Sequence, residues 1–544
     1  MNPRGTGVWQ LRRMRKSAGR WLTLPQAIRR SGIAALVALC LVAAVDDPLP
    51  SLLPRGPIPA VAGLRCDPAA YLTPSLPTPT STRYVTPTGS DGANGQTEGA
   101  AWATLAFAIG QAVAGVEVRC WGSFPATDAF DFTNVNGTAA NPIVFRLNPS
   151  QATFNVASNI AGDGLVFNPA SYIWVVDARF TTTATYNVIK GGASFLTFIR
   201  CTWATTAGLG IGDSGTAGTD IALYDCTFNN GLGNKAGNDG DGIVIQHGSH
   251  RVWIIRCTIG DCGHMAITVG NFQAAGDALC NDSVIHGCTI TNRWAGGISL
   301  NGKQQRTIVE CNDIKDTAMN FAPDNPGTRE GIQLLGVDAI IRYNRIWNAE
   351  WQGISMRTYT FASFTQQCLR NQVYHNTIFD CGGTPIGWVL SVAAQANFND
   401  NLVYNNIGWK NHTASSPGAS SESGGYYNND YHYLWIELAS TSWTSGIGAN
   451  EVKNNLFART ATVGTDKFGI IYDAVPDQYT LAQFESTYST ASGNQVGADP
   501  VFVSEVTPDF HLQAGSPVID DGLVIAGVEY EGAAPDLGAF EGGT

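Results

Sequence analysis

The hydrophobic pattern of this chain changes period once and then repeats. Over Ala101–Ala114, Trp102, Leu105, Ile109 and Val113 recur at spacings of three, four and four, the apolar stripe of a short helix. Beyond it, helical spacing nearly disappears. A phrase takes its place, a Cys or Asn followed two residues later by an apolar side chain. It reads Cys201-Thr-Trp203, Cys226-Thr-Phe228, Cys257-Thr-Ile259 and Cys288-Thr-Ile290, then Asn312-Asp-Ile314, Asn344-Arg-Ile346, Asn376-Thr-Ile378, Asn405-Asn-Ile407 and Asn454-Asn-Leu456. The intervals are 25, 31, 31, 24, 32, 32, 29 and 49 residues. A second phrase, Gly-Ile-x-apolar, runs between them at Gly242, Gly297, Gly331 and Gly353, with Ala266-Ile267 as a variant. Short strands separated by turns at a near-constant period predict a parallel β-solenoid. No coil can bury its own apolar face, so stacking must do it.

The Cys-to-Asn column has a physical account. In a solenoid each position lies about 4.8 Å above its counterpart in the next coil. Thiols can stack dry, and Asn side chains can hydrogen-bond along the stack as an amide ladder. The spacing therefore predicts an interior column.

Length and composition refine this picture. At about 150 residues per domain, 544 residues would make three or four domains, but the repeat replaces them with one long solenoid. The 61 Gly and 25 Pro have two sources, coil turns and a proline-rich stretch at 46–82 that reads as a semi-rigid linker. The net charge of −12 is unevenly placed. Residues 1–32 carry eight of the 32 basic side chains and no acid, so the rest holds 24 basic against 44 acidic groups, a net of −20. A body that acidic is a poor binder of phosphate backbones, and nucleic acid is not an expected partner. The basic start leads into Ile33–Val45, thirteen uncharged residues. That is short for a membrane span and suits a signal-peptide core, with an uncleaved anchor as the alternative. Residues 1–45 are thus read as leader or anchor, and the body as secreted, periplasmic or cell-surface. Setting aside Cys40 leaves eleven cysteines, an odd number, so at least one thiol stays unpaired.

Residues 83–544 resemble the right-handed parallel β-helix proteins of the pectate-lyase-like superfamily. Tyr84–Asp91 with Ala101–Leu105 looks like the N-terminal cap of secreted members. Asp499–Phe502, Asp509–Leu512, Gly515–Asp520 and Asp536–Glu541 resemble a C-terminal cap found in many of them. The resemblance implies an all-β, right-handed parallel β-helix with a short N-terminal capping helix and a C-terminal cap. It also implies sugar binding along one stacked strand, here placed on the Gly-Ile phrases. The superfamily holds polysaccharide lyases, glycosidases, epimerases and non-catalytic surface proteins, so fold alone assigns no activity.

Reading those coils in register gives a column just before the strand: Asp241, Met265 beside His264, Gly296, Glu330 and Gln352. Outward strand positions follow as Val244, Thr268, Ser299, Gln333 and Ser355, then Gln246, Gly270, Asn301, Leu335 and Arg357. Lys303, Arg293 and Arg329 lie on adjoining turns. Polygalacturonase-type enzymes carry an Asn-Thr-Asp turn, an Asp-Asp pair and a Gly-His-Gly in successive coils. Asn238–Gly242 and Gly260–His264 occupy similar places, without the Asp-Asp pair and with the His displaced. Asp241 and Glu330 stand three coils apart, roughly 14 Å, beyond the ~5–9.5 Å a glycosidase carboxylate pair requires. Neighbouring-coil pairs, Asp241 with Asp261 or Glu330 with Glu350, fit better. For β-elimination, Lys303, Arg329 and Arg357 could neutralise a uronate while His264 takes the proton. Asp239 and Asp241 offer clustered hard oxygens for a calcium ion, the one cofactor considered. Cys257, Cys262 and His264 could be grouped for zinc, but Cys257 belongs to the interior column. Asn301, Gln333, Trp294, Trp351 and Tyr359 are the candidate sugar-binding residues. An insertion at about 410–435 adds Tyr426, Tyr427, Tyr431, Tyr433 and Trp435, ring faces suited to sugars.

Taken together, the sequence reads as an exported carbohydrate-active protein that cleaves a polysaccharide as lyase or glycoside hydrolase. The alternative is a non-catalytic surface, adhesion or glycan-binding β-helix. A glycan is the expected partner, a membrane only through the N-terminal segment, and the chain is expected to be a monomer.

Overall fold

The computed structural model describes Cys66 and residues 71–541, except 126–127, 129, 155–162, 182–185, 205–207, 213–214, 230–239, 271–277, 319–328, 359, 362–363, 391–396, 412–431, 439–446, 460–466 and 473–476. The leader reading at 1–45, Asp239, Tyr359 and the insertion tyrosines Tyr426, Tyr427 and Tyr431 fall outside these residues. Among the described residues no helix is long and apolar enough to cross a membrane.

The chain winds as a parallel β-helix. One wall is a sheet of 13 strands in which consecutive coils pair in parallel. It contains β1 (Ile243–Ile245), β2 (Ile267–Val269), β3 (Ile298–Leu300), β4 (Ile332–Leu334), β5 (Ile354–Thr358) and β6 (Ile386–Leu390). The other wall is a 27-stranded sheet folded into two ladders. One passes through His250–Ile255, Val284–His286 and Ile308–Glu310, the other through Thr258–Ile259, Thr289–Thr291 and Asp313–Lys315. Parallel crossovers of this kind are right-handed in nearly all proteins. The Gly-Ile phrases have a steric cause. A Cβ at Gly297 would meet the Gly331 carbonyl oxygen of the next coil at 2.4 Å, and one at Gly353 would meet Ile378 Cγ2 at 2.3 Å. At these two positions a Cβ would clash with the next coil at strand spacing.

The interior column forms at the corner between the two ladders. Cys201, Cys226, Cys257 and Cys288 stack buried, each thiol reaching a backbone carbonyl, as Cys288 does to Ile254 O at 3.4 Å. Below them the amide ladder runs Asn312, Asn344, Asn376, Asn406, Asn455 and Asn494, each Nδ2 donating to the next Oδ1 at 2.9–3.0 Å. In the last two coils the ladder is one residue later than the sequence phrases placed it. Asn405 and Asn454 instead occupy the preceding corner, with φ of 54° and 49°. Asn tolerates that left-handed backbone, so Asn-Asn pairs obscure the register. Elsewhere the same corner holds ionic residues: Arg200 pairs with Asp177 at 2.6 Å, and Arg256 with Asp225 at 2.8 Å, each across one coil step.

The ends differ from the sequence expectation. The first helix, α1 (Leu105–Gly110), is only six residues long, with Thr104 as its N-cap. It seats Leu105 and Ile109 on the core, whereas Val113 lies beyond the helix and is 64% exposed. A second helix, α2 (Leu481–Thr487), packs Phe484 against Phe468 and the main core. It opens with a capping box, Thr480 and Gln483 bonding each other's backbone. The segment resembling a C-terminal cap lies along the flank. Phe502, Phe510, Leu512, Val518 and Leu537 form a separate cluster with Phe379, Ile407 and Trp409 on the outer face of one ladder. Strand His432–Leu438, at the end of the insertion, pairs with β6 in the 13-stranded sheet, which places Trp435 opposite Gly387.

At the N-terminal side, Cys66 is disulfide-bonded to Cys311 across 245 residues. Arg256 Nη2 donates to Thr73 Oγ1 at 2.5 Å, and Thr73 donates to Asp225 Oδ2 at 2.6 Å. This part of the proline-rich stretch thus lies against successive coils. The other nine described cysteines are all buried.

Candidate functional site

The outer face of the 13-stranded sheet carries the polar band. Cα register pairs Val244, Thr268, Ser299, Gln333 and Ser355 in one column, with Gly387 following. Asp241, Glu330 and Gln352 lie three residues before their column members, and Asn301 and Arg357 two residues after. Regular coil stacking therefore brings residues more than a hundred apart in sequence to one face.

Two charged centres form there. In the first, Asp241 Oδ1 lies 2.6 Å from His264 Nδ1 and accepts from the Met265 backbone N–H at 2.7 Å, while Oδ2 accepts from Thr268 Oγ1 at 2.8 Å. The carboxylate fixes the imidazole's orientation, the arrangement that suits a histidine to proton transfer. The His264 and Asp241 side chains are 19% and 13% exposed. Thr268, which sequence reasoning left out of the catalytic set, belongs to this centre. Its outward position one coil from Asp241 was the available signal.

The second centre is closed from solvent. Arg357 is ion-paired with Glu330, their side chains 6% and 0% exposed, and Arg357 Nε donates to Ser355 Oγ at 2.6 Å. Arg329 pairs with Glu350 at 3.1 Å. Both guanidinium groups lie over the Trp351 ring, 5.0 Å from its centroid for Arg329 and 5.8 Å for Arg357. Between the centres, Ser299 Oγ stands 2.7 Å from Asn301 Oδ1 and 2.9 Å from Gln333 Oε1, all three residues buried. Lys303 is buried beside them, and Gln366 packs over Gly302 so closely that a Cβ there would lie 2.5 Å from Gln366 Cγ.

The neighbouring-coil acid pairs of the sequence reading are each occupied by a cation. Glu350 is held by Arg329, and Asp261 by Arg293 at 2.7 Å. For calcium, both Asp241 oxygens are engaged in the hydrogen bonds above, and among the described residues no cluster of three or more His, Cys, Asp or Glu forms a metal site. Cys257 and Cys262 are both buried in the core. Trp294 is half-buried on its turn.

A third constellation lies on the opposite wall, where sequence reasoning placed nothing. Glu310 is bonded to His286 at 3.1 Å and Arg342 at 2.7 Å, and the Tyr71 ring lies 4.5 Å from that of His286. Burial raises the Glu310 pKa, but the His286 hydrogen bond and the Arg342 charge outweigh it and hold the carboxyl below its usual range. Burial, reinforced by Glu310, pushes the Tyr71 phenol well up.

No family model matches the sequence, and no curated protein matches it. Solved structures do. Pectate lyase Pel9A aligns at TM-score 0.46 and 15% identity over 86% of this chain and 98% of that one. A rhamnogalacturonan lyase aligns at 0.42 and 16%, over 69% and 87%. The GH136 lacto-N-biosidase from Eubacterium ramulus aligns at 0.37 and 13%, over 77% and 68%. At these identities the likeness is one of architecture, the stacking of parallel β-coils.

Proposed function

We propose that the chain is an exported carbohydrate-active enzyme that cleaves a polysaccharide bound along the outer face of the 13-stranded sheet. The observation that carries this reading is the Asp241–His264–Thr268 centre, set at one end of a continuous polar row on a rigid wall. His264 acts as the proton-transfer group, oriented by Asp241, and Ser299, Asn301 and Gln333 hold sugar hydroxyls. The buried Arg357–Glu330 pair organises the far end of the row. Export is supported by the basic leader with its apolar run and by the Cys66–Cys311 disulfide, a bond that persists in oxidising compartments.

The test incubates the full chain with a panel of neutral and uronate polysaccharides, following absorbance of unsaturated ends and total reducing ends. Absorbance gain indicates β-elimination, and reducing ends alone indicate hydrolysis. Activity that survives His264→Ala rejects the catalytic assignment. Retention on a glycan array without any cleavage selects the binding-only reading, which the burial of the second centre favours.

A further inference from the structure

We infer that the glycan this face takes is uncharged, a hydroxyl-rich neutral chain rather than a uronate polymer. The inference rests on the glycan reading above and adds the charge class of its substrate.

Recognition of a uronate needs a cation that is not already neutralised. Each arginine on this face has a carboxylate within ion-pair reach, and the remaining cation of the row, Lys303, is buried with only 8% of its surface exposed. Arg357 is held by Glu330, Arg329 by Glu350, and Arg293 by Asp261. The Glu330 side chain is fully buried and that of Glu350 is 11% exposed. A sugar carboxylate arriving at Arg357 would have to displace Glu330 and leave that buried charge uncompensated, a strongly unfavourable exchange. The alternative, a third charge added beside an intact pair, brings like charges together. Asp241 extends the same negative bias to the other end of the row, and the body as a whole carries 24 basic against 44 acidic groups.

What the row offers instead is neutral. Thr268, Ser299, Asn301, Gln333 and Ser355 are all buried hydroxyls and amides on one face. Such groups both donate and accept, which matches sugar hydroxyls and wastes half its capacity on a carboxylate, an acceptor only.

The experiment compares polygalacturonate and alginate with the same polymers after chemical reduction of their carboxyls to neutral hexose chains. Retardation of the full chain in affinity gels is measured with calcium and with a chelator, and a broad neutral-glycan array is run beside it. The expected result is binding to reduced polymers or neutral array glycans at least about tenfold tighter than to the parent uronates, in both conditions. Asn301→Ala should weaken the neutral binding, and Glu350→Gln, which removes the carboxylate paired with Arg329, should narrow the gap by improving the uronates. Equal or tighter binding of the parent polymers overturns the neutral class and leaves the glycan reading standing. Retention of no polymer and no array glycan overturns both.

Discussion

Asn376→Ala should be among the most damaging single substitutions in the molecule, although it removes no apolar surface. Asn376 uses both ends of its amide. Its Oδ1 accepts from the Asn344 backbone N–H and from Asn344 Nδ2, both at 3.0 Å, and its Nδ2 donates to Ile341 O at 2.9 Å and Asn406 Oδ1 at 3.0 Å. Alanine orphans the Asn344 backbone N–H and one of the two amide hydrogens of Asn344 Nδ2, whose other hydrogen stays on Val309 O, in a fully buried corner. At ~1–3 kcal/mol for each unsatisfied group, the loss is about 2–6 kcal/mol, a large part of the stability of an ordinary domain. Cys226→Ala in the same column is the control. Its thiol is a weak donor to Tyr224 O at 3.4 Å, so about 1 kcal/mol is expected. Asn376→Leu restores the volume without the hydrogen bonds and should be no better than alanine. The assay is urea denaturation followed by tryptophan fluorescence and far-ultraviolet dichroism. Because each coil touches only its neighbours, Asn376→Ala should also separate the transition into two steps. An Asn376→Ala midpoint no lower than that of Cys226→Ala would refute the amide ladder as a source of stability.

Three further outcomes are expected. His264→Ala should lower kcat on a responsive polysaccharide about 10²–10⁴-fold, the usual share of a proton-transfer group, with an unchanged thermal midpoint. Equal losses of activity and fold would make His264 structural. Cys66→Ser should cost about 2–5 kcal/mol, because the bond closes a 245-residue loop. Reductant should then destabilise the wild type and leave the variant unmoved, and an effect on both would point elsewhere. The Glu310 carboxyl is depressed in the folded chain, so its contribution is complete above the unfolded value of about 4.3 and fades as pH falls through the lower folded value. The stability gap between wild type and Glu310→Gln should be constant above about pH 5 and close below about pH 4. A gap independent of pH would show that the ion pair is not its source.

The repeat was legible because stacking imposes one rule on every coil. The outward column Val244, Thr268, Ser299, Gln333 and Ser355 could be written from the Gly-Ile phrases and their Ala266 variant, since each strand starts at a fixed offset from its phrase. What failed was local. The corner before the ladder accepts Asn as readily as the ladder does, so Asn405-Asn406 and Asn454-Asn455 slipped by one. Trp102 and Val113 extended a six-residue helix on paper, because a stripe of four apolar residues does not say which of them meets the core. The helix at Leu481–Thr487 buries Phe484 alone and has no stripe, although its capping box was readable at Thr480 and Gln483. The disulfide was hidden by its company. Cys311 stands one residue before ladder residue Asn312, the outward corner, and so is set apart from the stacked thiols by position rather than by type.

Charge pairing was the least legible feature, and it decides how the candidate site is read. In sequence, Lys303, Arg329 and Arg357 look like cations available to a substrate, because nothing local opposes them. The coil step of 20 to 35 residues is what brings Glu350 beside Arg329 and Glu330 beside Arg357. The same device recurs away from the site, where Arg200, Arg306 and Arg370 answer Asp177, Asp282 and Asp338 across single coils. On the exposed corners such pairs are worth little individually. On the closed face, where Glu330 and Arg357 are buried, the pair is a constraint, since neither ion can be lent to a ligand without stranding the other. His264 stands apart from these arginine–carboxylate pairs, because an imidazole can both take and give a proton and Asp241 fixes the orientation of its ring. The end of the row proposed to react is therefore the Asp241–His264 end.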